Sequence, residues 1–208
     1  AAELRAAYAA RLDAPASNDG GETCTTHLTV MDAEGTMVTM TTTLMAGFGS
    51  RVVLPETGLL LNNGIMLFDP RPGWANSLAP SKRLLTNMCP LVLREGDVPV
   101  MAGGGSGGRH IMAAMFQLMT YIADFGMDPE AAAHAPRINV AGPEGVAADI
   151  ALGPEVIAAL AADAPTEVVR RYIAPGNFAN PNMILRHADG SHSGIADNRS
   201  PWSVALAQ

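Results

Sequence analysis

The sequence carries a pair of threonines, Thr25 and Thr26, followed by His27, at the start of a strand-like segment. A threonine inside a chain has no base beside its hydroxyl, but a threonine at a new N-terminus has its own free amine to take that proton. Cleavage of the peptide bond before one of these threonines would therefore create a nucleophile. Residues 14–22, rich in Gly, Ser, Asn and Pro, predict a flexible linker before this point. The alternative is that the threonines only fill a strand, because β-branched residues favour strands.

A glycine-rich run, GGGSGG at residues 103–108, stands directly before an apolar helical segment. Backbone N–H groups in such a run are unobstructed and can bind an oxyanion at the start of a helix. No Lys-Ser/Thr pair closes the run, so it is not a phosphate-binding P-loop, and its spacing does not match the dinucleotide fingerprint. The alternative is a tight turn that permits close backbone packing.

A third candidate is Arg71, which lies between Pro70 and Pro72. The prolines restrict the backbone on both sides, and a guanidinium held in place suits a substrate carboxylate. The alternative is a solvated arginine in a surface loop. The five histidines show no metal-ligand spacing, and Cys24 and Cys89 are interpreted as free thiols, so we expect no metal and no cofactor.

The composition limits the class of protein. The 208 residues are 48% hydrophobic and 16% charged, with a net charge of −7, which suits one or two globular domains. There is no Lys/Arg cluster that would indicate nucleic acid or an anionic membrane surface, and no apolar run approaches the length of a membrane span. No signal peptide is visible at the start, so the compartment stays open between cytoplasm and periplasm.

Period-two alternation predicts three hairpins, and apolar spacing of three to four residues predicts four helices. The hairpins are expected at 26–44, 91–101 and 182–197, and the helices at 1–13, 110–125, 129–134 and 154–162. A short buried strand is expected at 58–61, followed by an irregular segment at 62–82 that three prolines interrupt. Strands followed by helices and again by strands indicate an α+β layered domain.

Several blocks in fixed order resemble one family. THLTVMDAEGTMVTMTTTL, GFGS, TGLLLNN, KRLLTNMCP, GGGSGG and DFGMDPEAAAHAPR resemble the small-subunit half of the γ-glutamyltransferase (γ-glutamyltranspeptidase, glutathione hydrolase) family. Residues 25–208 are similar to the small-subunit catalytic domain, and residues 1–24 to the end of the large-subunit segment before a self-cleavage point. The resemblance implies the αββα sandwich of the N-terminal-nucleophile hydrolases, here its small-subunit half. It also implies the large-subunit segment of the same precursor as a partner, in a heterodimer or a dimer of such heterodimers, and no cofactor.

The resemblance assigns roles to individual residues. Cleavage between Cys24 and Thr25 would make Thr25 the nucleophile, Thr43 would hydrogen-bond it, and Gly107 and Gly108 would form the oxyanion hole. The implied activity is that of a self-processing hydrolase or acyltransferase. Such an enzyme transfers the acyl part of a γ-glutamyl or related amide through an acyl-enzyme to water or to an acceptor amine.

The sequence departs from the family at the residues that anchor a glutamyl group. Met45 stands where the family has an asparagine, and Leu67 stands where an aspartate pairs with the glutamyl α-amine. A substrate ammonium beside these apolar side chains would lose charge-assisted hydrogen bonds of about 1.5–3 kcal/mol each.

Four residues are nevertheless expected to bind substrate: Asn63, Arg71, Thr86 and Asn87, the last two in place of the family's paired serines. Two alternatives to glutamyl chemistry follow from the departures. One is a hydrolase of a non-glutamyl amide, similar to the oxamate amidohydrolases or cephalosporin acylases of this family. The other is an unprocessed, inactive homologue that serves as a structural subunit.

Overall fold

The computed structural model describes residues 23–140, 145–170, 178–197 and 199–207. The helix predicted over 1–13 and the linker predicted over 14–22 lie outside these ranges. The chain divides into two compact units, one formed by 1–24 and 43–86, the other by 25–42 and 87–208. The division predicted between residues 24 and 25 remains a prediction.

The first hairpin is confirmed. Strand β1 (Thr23–Met31) pairs with β2 (Met37–Ala46). The turn between them is closed by the Asp32 carboxylate, which accepts the Thr36 N–H at 2.7 Å. The hydrogen bonds that the Asp32 carboxylate accepts lower its pKa, and the bond from the Thr36 backbone N–H is the largest cause. Burial alternates along both strands, as expected where one face of a strand packs against another layer.

The second and third hairpins are also confirmed, and they form one antiparallel sheet. Its strands are β3 (Leu91–Glu95), β4 (Val98–Ser106), β8 (Asn180–Arg186) and β9 (His192–Ala196), in the order β3-β4-β8-β9. Strand β4 continues beyond residue 101, where the second hairpin was predicted to end, into the glycine run. Residues 103–105 are buried in β4 and pair with β8, because glycines leave room for layers to approach on both faces.

The predicted helices within the described ranges are confirmed. Helix α1 (His110–Ala123) follows β4, and α2 (Pro129–His134) begins after Asp128, whose carboxylate accepts the Ala131 N–H at 2.9 Å. Helix α3 (Pro154–Asp163) lies further along the chain. The buried stripe of α1 packs against β4 and β8 and forms the core with them; its residues are Ile111, Ala114, Met115 and Leu118 on the helix, and Met101 and Met183 on the strands.

A third small sheet was not anticipated from the sequence. It joins β5 (Ile138–Asn139), β6 (Val146–Asp149) and β7 (Thr166–Val169), with β5-β6 antiparallel and β6-β7 parallel. A short 3-10 helix (Ile150–Leu152) follows β6. Strands of two to four residues are too short for alternation to reveal them.

The larger unit is therefore layered as hairpin, sheet and helices. The inner face of the β1-β2 hairpin contacts β4 and β8, while α1 packs on the other face of the same sheet. The outer face of the hairpin is apolar and exposed, with Leu28, Val30, Val38 and Met40 between 39% and 54% accessible.

The smaller unit is mostly irregular between residues 47 and 86, as predicted for 62–82. It contains a 3-10 helix (Gly64–Leu67) and isolated bridges that join Val53 to Leu60 and Asp69 to Ser77. The prediction of a short buried strand at 58–61 is wrong, because only Leu60 forms a bridge and Leu59 is 60% exposed. Within the described ranges, no helix is long and apolar enough to cross a bilayer.

Candidate active site

The predicted cleavage junction lies inside a strand. Strand β1 begins at Thr23, so the bond between Cys24 and Thr25 is part of extended backbone, and the nitrogen of Thr25 belongs to a peptide bond. The strand was predicted to start only after this bond. Extended backbone at the junction orients successive side chains to opposite faces, and the exposed Cys24 and Thr26 alternate with the half-buried Thr25.

Thr43 contacts the carbonyl that a cleavage reaction would attack. Its Oγ1 donates a hydrogen bond of 2.9 Å to the carbonyl oxygen of Cys24. The same Oγ1 accepts the Met45 N–H at 2.9 Å, which leaves the single hydroxyl proton for the Cys24 carbonyl. The hydroxyl of Thr43 is thereby oriented toward the predicted scissile bond.

The end of β2 has an unusual backbone that Asn63 supports. Met45 has a φ of +78°, a left-handed conformation that side chains other than glycine rarely adopt. The next N–H, that of Ala46, donates to Asn63 Oδ1 at 3.0 Å, and the Asn63 N–H donates to the Leu44 carbonyl at 3.1 Å. The side chain expected to bind substrate thus also holds the backbone that orients Thr43.

His27 lies two residues after Thr25 on the inner face of β1 and is only 9% exposed. Its Nδ1 lies 2.7 Å from Thr41 Oγ1, and its Nε2 lies 3.0 Å from Thr39 Oγ1 and 3.2 Å from Thr29 Oγ1. Burial lowers the pKa of His27. Sequence reasoning did not assign a role to this residue; because β1 begins at Thr23, the spacing of two residues puts His27 and Thr25 on the same face of the strand.

Two glycines close β4 before α1. Gly107 has a φ of +127° and Gly108 a φ of +58°, conformations that favour glycine. Both lie beyond the last pair of the β4-β8 ladder, which joins Ser106 to Asn180. A side chain at Gly107 would also approach within 2.8 Å of the Ala179 Cα. The carbonyls of the two glycines accept from the first turn of α1, so the pair forms the junction between strand and helix.

Arg71 already has a carboxylate partner. Its Nε donates to Asp69 Oδ1 at 3.0 Å and its Nη2 to Asp69 Oδ2 at 2.8 Å, while the guanidinium lies 4.9 Å from the centroid of the Trp74 ring. The hydrogen bonds from the Arg71 side chain, followed by its backbone N–H, lower the pKa of Asp69. The loop does hold the arginine in place, as the sequence predicted, but in a closed ion pair.

The remaining two predicted substrate-binding residues lie where the two units meet in the chain. Thr86 is exposed and ends the smaller unit, and the half-buried Asn87 opens the second segment of the larger one. The structure thus brings Thr43 to the Cys24 carbonyl, and it places Arg71 against Asp69. The roles in substrate binding stay predictions.

Comparison with known proteins identifies the family of this chain. The gamma-glutamyltranspeptidase family profile matches residues 3–207. The glutathione hydrolase proenzyme of Bacillus subtilis (strain 168) is 33% identical over 176 residues, which are 84% of this chain and 29% of that protein. The acylase ACY 1 proenzyme of Pseudomonas sp. (strain SE83) is 37% identical over 179 residues, 85% of this chain and 31% of that protein. The chain thus spans about a third of the length of these curated relatives.

Solved structures agree with this result. A gamma-glutamyltranspeptidase from Pseudomonas nitroreducens, complexed with L-DON, matches with a TM-score of 0.72 at 25% identity, over 88% of this chain and 100% of that chain. The cephalosporin acylase from Bacillus halodurans matches with a TM-score of 0.77 at 29% identity, over 88% of this chain and 34% of that chain. The α+β fold of this chain is one part of the fold of the N-terminal-nucleophile hydrolases. Within that class, the chain belongs to the gamma-glutamyltranspeptidase family.

Proposed function

We propose that the protein containing this chain is a self-processing amide hydrolase or acyltransferase whose nucleophile is Thr25. The observation that carries the proposal is the hydrogen bond from Thr43 Oγ1 to the Cys24 carbonyl oxygen. A donor aimed at the carbonyl of the predicted junction would stabilise the negative charge that develops there during cleavage.

Self-cleavage can be written with this geometry. Thr25 Oγ attacks the Cys24 carbonyl carbon, and the Thr43 hydroxyl stabilises the oxyanion. The bond to the Thr25 nitrogen then breaks and the nitrogen takes the hydroxyl proton, which leaves Cys24 esterified to Thr25 Oγ. Water hydrolyses the ester to a Cys24 carboxylate and a free Thr25 hydroxyl and amine.

Turnover would use the same threonine. The freed amine accepts the proton of Thr25 Oγ as that oxygen attacks a substrate amide, and the N–H groups of Gly107 and Gly108 stabilise the oxyanion. The amine product leaves with the proton, and water or an acceptor amine releases the acyl group. The exposed apolar face of the hairpin supports a partner, which we propose is the large-subunit segment of the same precursor in a heterodimer.

The order of contacts in the larger unit supports the pairing of Thr25 with these glycines. At the hairpin turn, Gly35 lies against Arg186 at the end of β8. Further from the turn, Thr39 Oγ1 donates to the Gly103 carbonyl and His27 contacts Gly104, so contacts nearer to Thr25 lie nearer to the C-terminal end of β4. Thr25 lies two strand residues, about 7 Å, beyond His27, which corresponds to the level of Ser106 next to the glycine pair.

The substrate class we propose is a γ-glutamyl or related amide, with Asn63, Arg71, Thr86 and Asn87 near its acyl group. A second candidate, a non-glutamyl acyl amide, is favoured by Met45 and Leu67, which offer no charge to a substrate α-ammonium. The similarity to an acylase proenzyme supports the same candidate.

The test is a substrate panel on the processed full-length protein. It compares a γ-glutamyl anilide with oxamate and glutaryl amides, in the wild type and in Thr25→Ala and Thr26→Ala. We expect turnover that Thr25→Ala abolishes and Thr26→Ala preserves, because Thr26 is exposed on the opposite face of β1. Activity that survives in Thr25→Ala would overturn the nucleophile assignment. Complete inactivity of the wild type toward the panel would favour a structural subunit.

A further inference from the structure

We propose that His27, as the neutral tautomer with a proton on Nε2, is a positioning residue that fixes the Thr25 end of β1 against β4. The inference rests on the proposed function of Thr25, because a position needs to be held only if Thr25 reacts. His27 itself is not proposed to touch the substrate.

The ring of His27 occupies a space against the β4 backbone that is open only because residue 104 is glycine. A Cβ built on Gly104 would lie 2.7 Å from His27 Nδ1 and closer still to Cε1 and Nε2. The imidazole therefore lies directly on the backbone of β4, three residues before Gly107. Glycine at 104 sets the depth at which β1 packs on the sheet.

The hydrogen bonds around the ring determine its tautomer. Thr39 Oγ1 donates its proton to the Gly103 carbonyl at 2.9 Å, and Thr29 Oγ1 donates to Asn182 Oδ1 at 2.8 Å. Each hydroxyl has one proton, so both can only accept from His27, which must carry a proton on Nε2. In the neutral ring Nδ1 is then an acceptor, and Thr41 donates to it.

The ring is also held as a neutral group. Its contacts are the hydroxyls of Thr29, Thr39 and Thr41 and the backbone of Gly104, and among the described residues none of these contacts is charged. Burial is the cause of its lowered pKa. At neutral pH the network therefore has one arrangement of protons, which gives it one geometry.

The backbone of His27 is attached at the same level. Asn182 Nδ2 donates to the His27 carbonyl at 2.9 Å, and Asn182 pairs with Gly104 across β4 and β8. Side chain and backbone of His27 are thus held by two neighbouring strands. Since Thr25 is only two residues away, this attachment limits how far its hydroxyl can move relative to the end of β4.

The first test compares His27→Phe and His27→Gln in the full-length precursor. Phenylalanine fills the space above Gly104 but makes no hydrogen bonds. We therefore expect the rate of self-cleavage and kcat to fall by about 10²-fold with KM nearly unchanged, which is the rate loss typical of a 1 Å misplacement. Glutamine retains an N–H donor and should recover part of the loss. Wild-type rates in His27→Phe would overturn the proposal.

The second test keeps the histidine, in case the first variants fail to fold. Thr41→Val removes the donor to Nδ1, whereas Thr42→Val is its matched control on the exposed face of β2. We expect a drop of about tenfold in kcat for Thr41→Val only. Nitrogen NMR of labelled His27 should show the Nε2–H tautomer in both proteins, because Thr29 and Thr39 still accept from Nε2, with the Nδ1 resonance shifted in Thr41→Val by the loss of its donor. A wild-type ring that carries its proton on Nδ1, or an unchanged kcat in Thr41→Val, would contradict the proposal.

The third test changes the glycine that the ring contacts and leaves His27 in place. Gly104→Ala should displace His27 and lower kcat, whereas Gly194→Ala, where a Cβ would meet only ordinary contact with Ala205 at 3.5 Å, should not. Equal kcat in the two variants would overturn the inference. If Thr25→Ala abolishes cleavage but the His27, Thr41 and Gly104 variants are all normal, the positioning role fails and the proposed function stands.

Discussion

The hydroxyl of Thr43 donates to the carbonyl oxygen of Cys24 at 2.9 Å, with its proton directed there because the Met45 N–H occupies the hydroxyl oxygen. The relationship joins two residues 19 positions apart at the one peptide bond whose cleavage would free the amine of Thr25. In the self-cleavage proposed above, this hydroxyl would be the donor that stabilises the oxyanion formed at the Cys24 carbonyl.

The first prediction concerns this donor. Thr43→Val should slow self-cleavage by about 10²–10³-fold, the usual cost of removing one oxyanion donor, while Thr43→Ser should retain most of the rate. Band intensities from incubated precursor, followed over time on a gel, measure both. Equal rates for the valine and serine variants would show that the hydrogen bond has no role in cleavage.

The second prediction concerns the support of Thr43 by Asn63. Asn63→Leu removes the acceptor for the Ala46 N–H and should relax the left-handed conformation of Met45, so self-cleavage should slow by about tenfold. Asn62→Leu is a nearby control, because within the part of the chain that the structure describes Asn62 Oδ1 accepts only the Gly64 N–H of the following turn. If Asn63→Leu raises KM and leaves self-cleavage unchanged, Asn63 acts on the substrate alone.

The third prediction is a pH dependence. The pKa of His27 is lowered in the folded protein, so below the unfolded value of about 6.5 the unfolded chain binds more protons than the folded one. The stability that neutral His27 contributes is therefore fully present above pH 6.5 and is lost as the pH falls toward the folded pKa. His110, whose pKa burial also lowers, adds to this slope.

The measurement for this prediction is the urea midpoint between pH 5 and 7. Its pH slope should be shallower in His27→Gln than in the wild type, and the difference between the two isolates His27 from His110. Parallel slopes would mean that His27 binds its proton equally well in both states.

The fourth prediction concerns the buried ion pair of Arg137 and Asp197, whose side chains are both 1% exposed and 2.8 Å apart. Asp197→Asn leaves the guanidinium buried without its carboxylate and should cost about 3–5 kcal/mol in the free energy of unfolding. Asp97→Asn, which breaks an exposed pair with Arg94, should leave the melting temperature unchanged. Similar melting temperatures for the two variants would contradict this interpretation.

The fifth prediction tests whether Arg71 binds a substrate carboxylate. A substrate would have to compete with Asp69 for the guanidinium, so Asp69→Asn should lower KM for a carboxylate-bearing amide. Arg71→Lys loses the bidentate geometry and should raise KM with kcat unchanged. If neither variant changes KM, Arg71 serves the loop alone.

The sequence predicted what local patterns encode. The three hairpins followed from period-two alternation, and α1 followed from its apolar stripe. The second hairpin was predicted to end at residue 101 and not at Ser106, because glycines have no side chains that could show the alternation that marks β4. The predicted strand at 58–61 failed because its leucines lie in an irregular segment that buries little of them.

The setting of the site depended on contacts distant in sequence. The environment of His27 is formed by Gly104 and by Asn182, the latter 155 positions away, and no local pattern joins them. The pairing of Arg71 with Asp69 was a local feature that the sequence could have shown, since a carboxylate two residues away is within reach of the guanidinium. Thr25 and Thr43, in contrast, were assigned from the resemblance to the family, and their roles in catalysis stay predictions.

The central claim is that Thr25 becomes an N-terminal nucleophile. The direct measurement is the intact mass of the purified full-length precursor over time, with the new N-terminus sequenced, for the wild type, Thr25→Ala and Thr26→Ala. The account predicts a single cut between Cys24 and Thr25 in the wild type and in Thr26→Ala, and an uncut chain in Thr25→Ala. An uncut wild-type chain, or a cut that persists in Thr25→Ala, would contradict it.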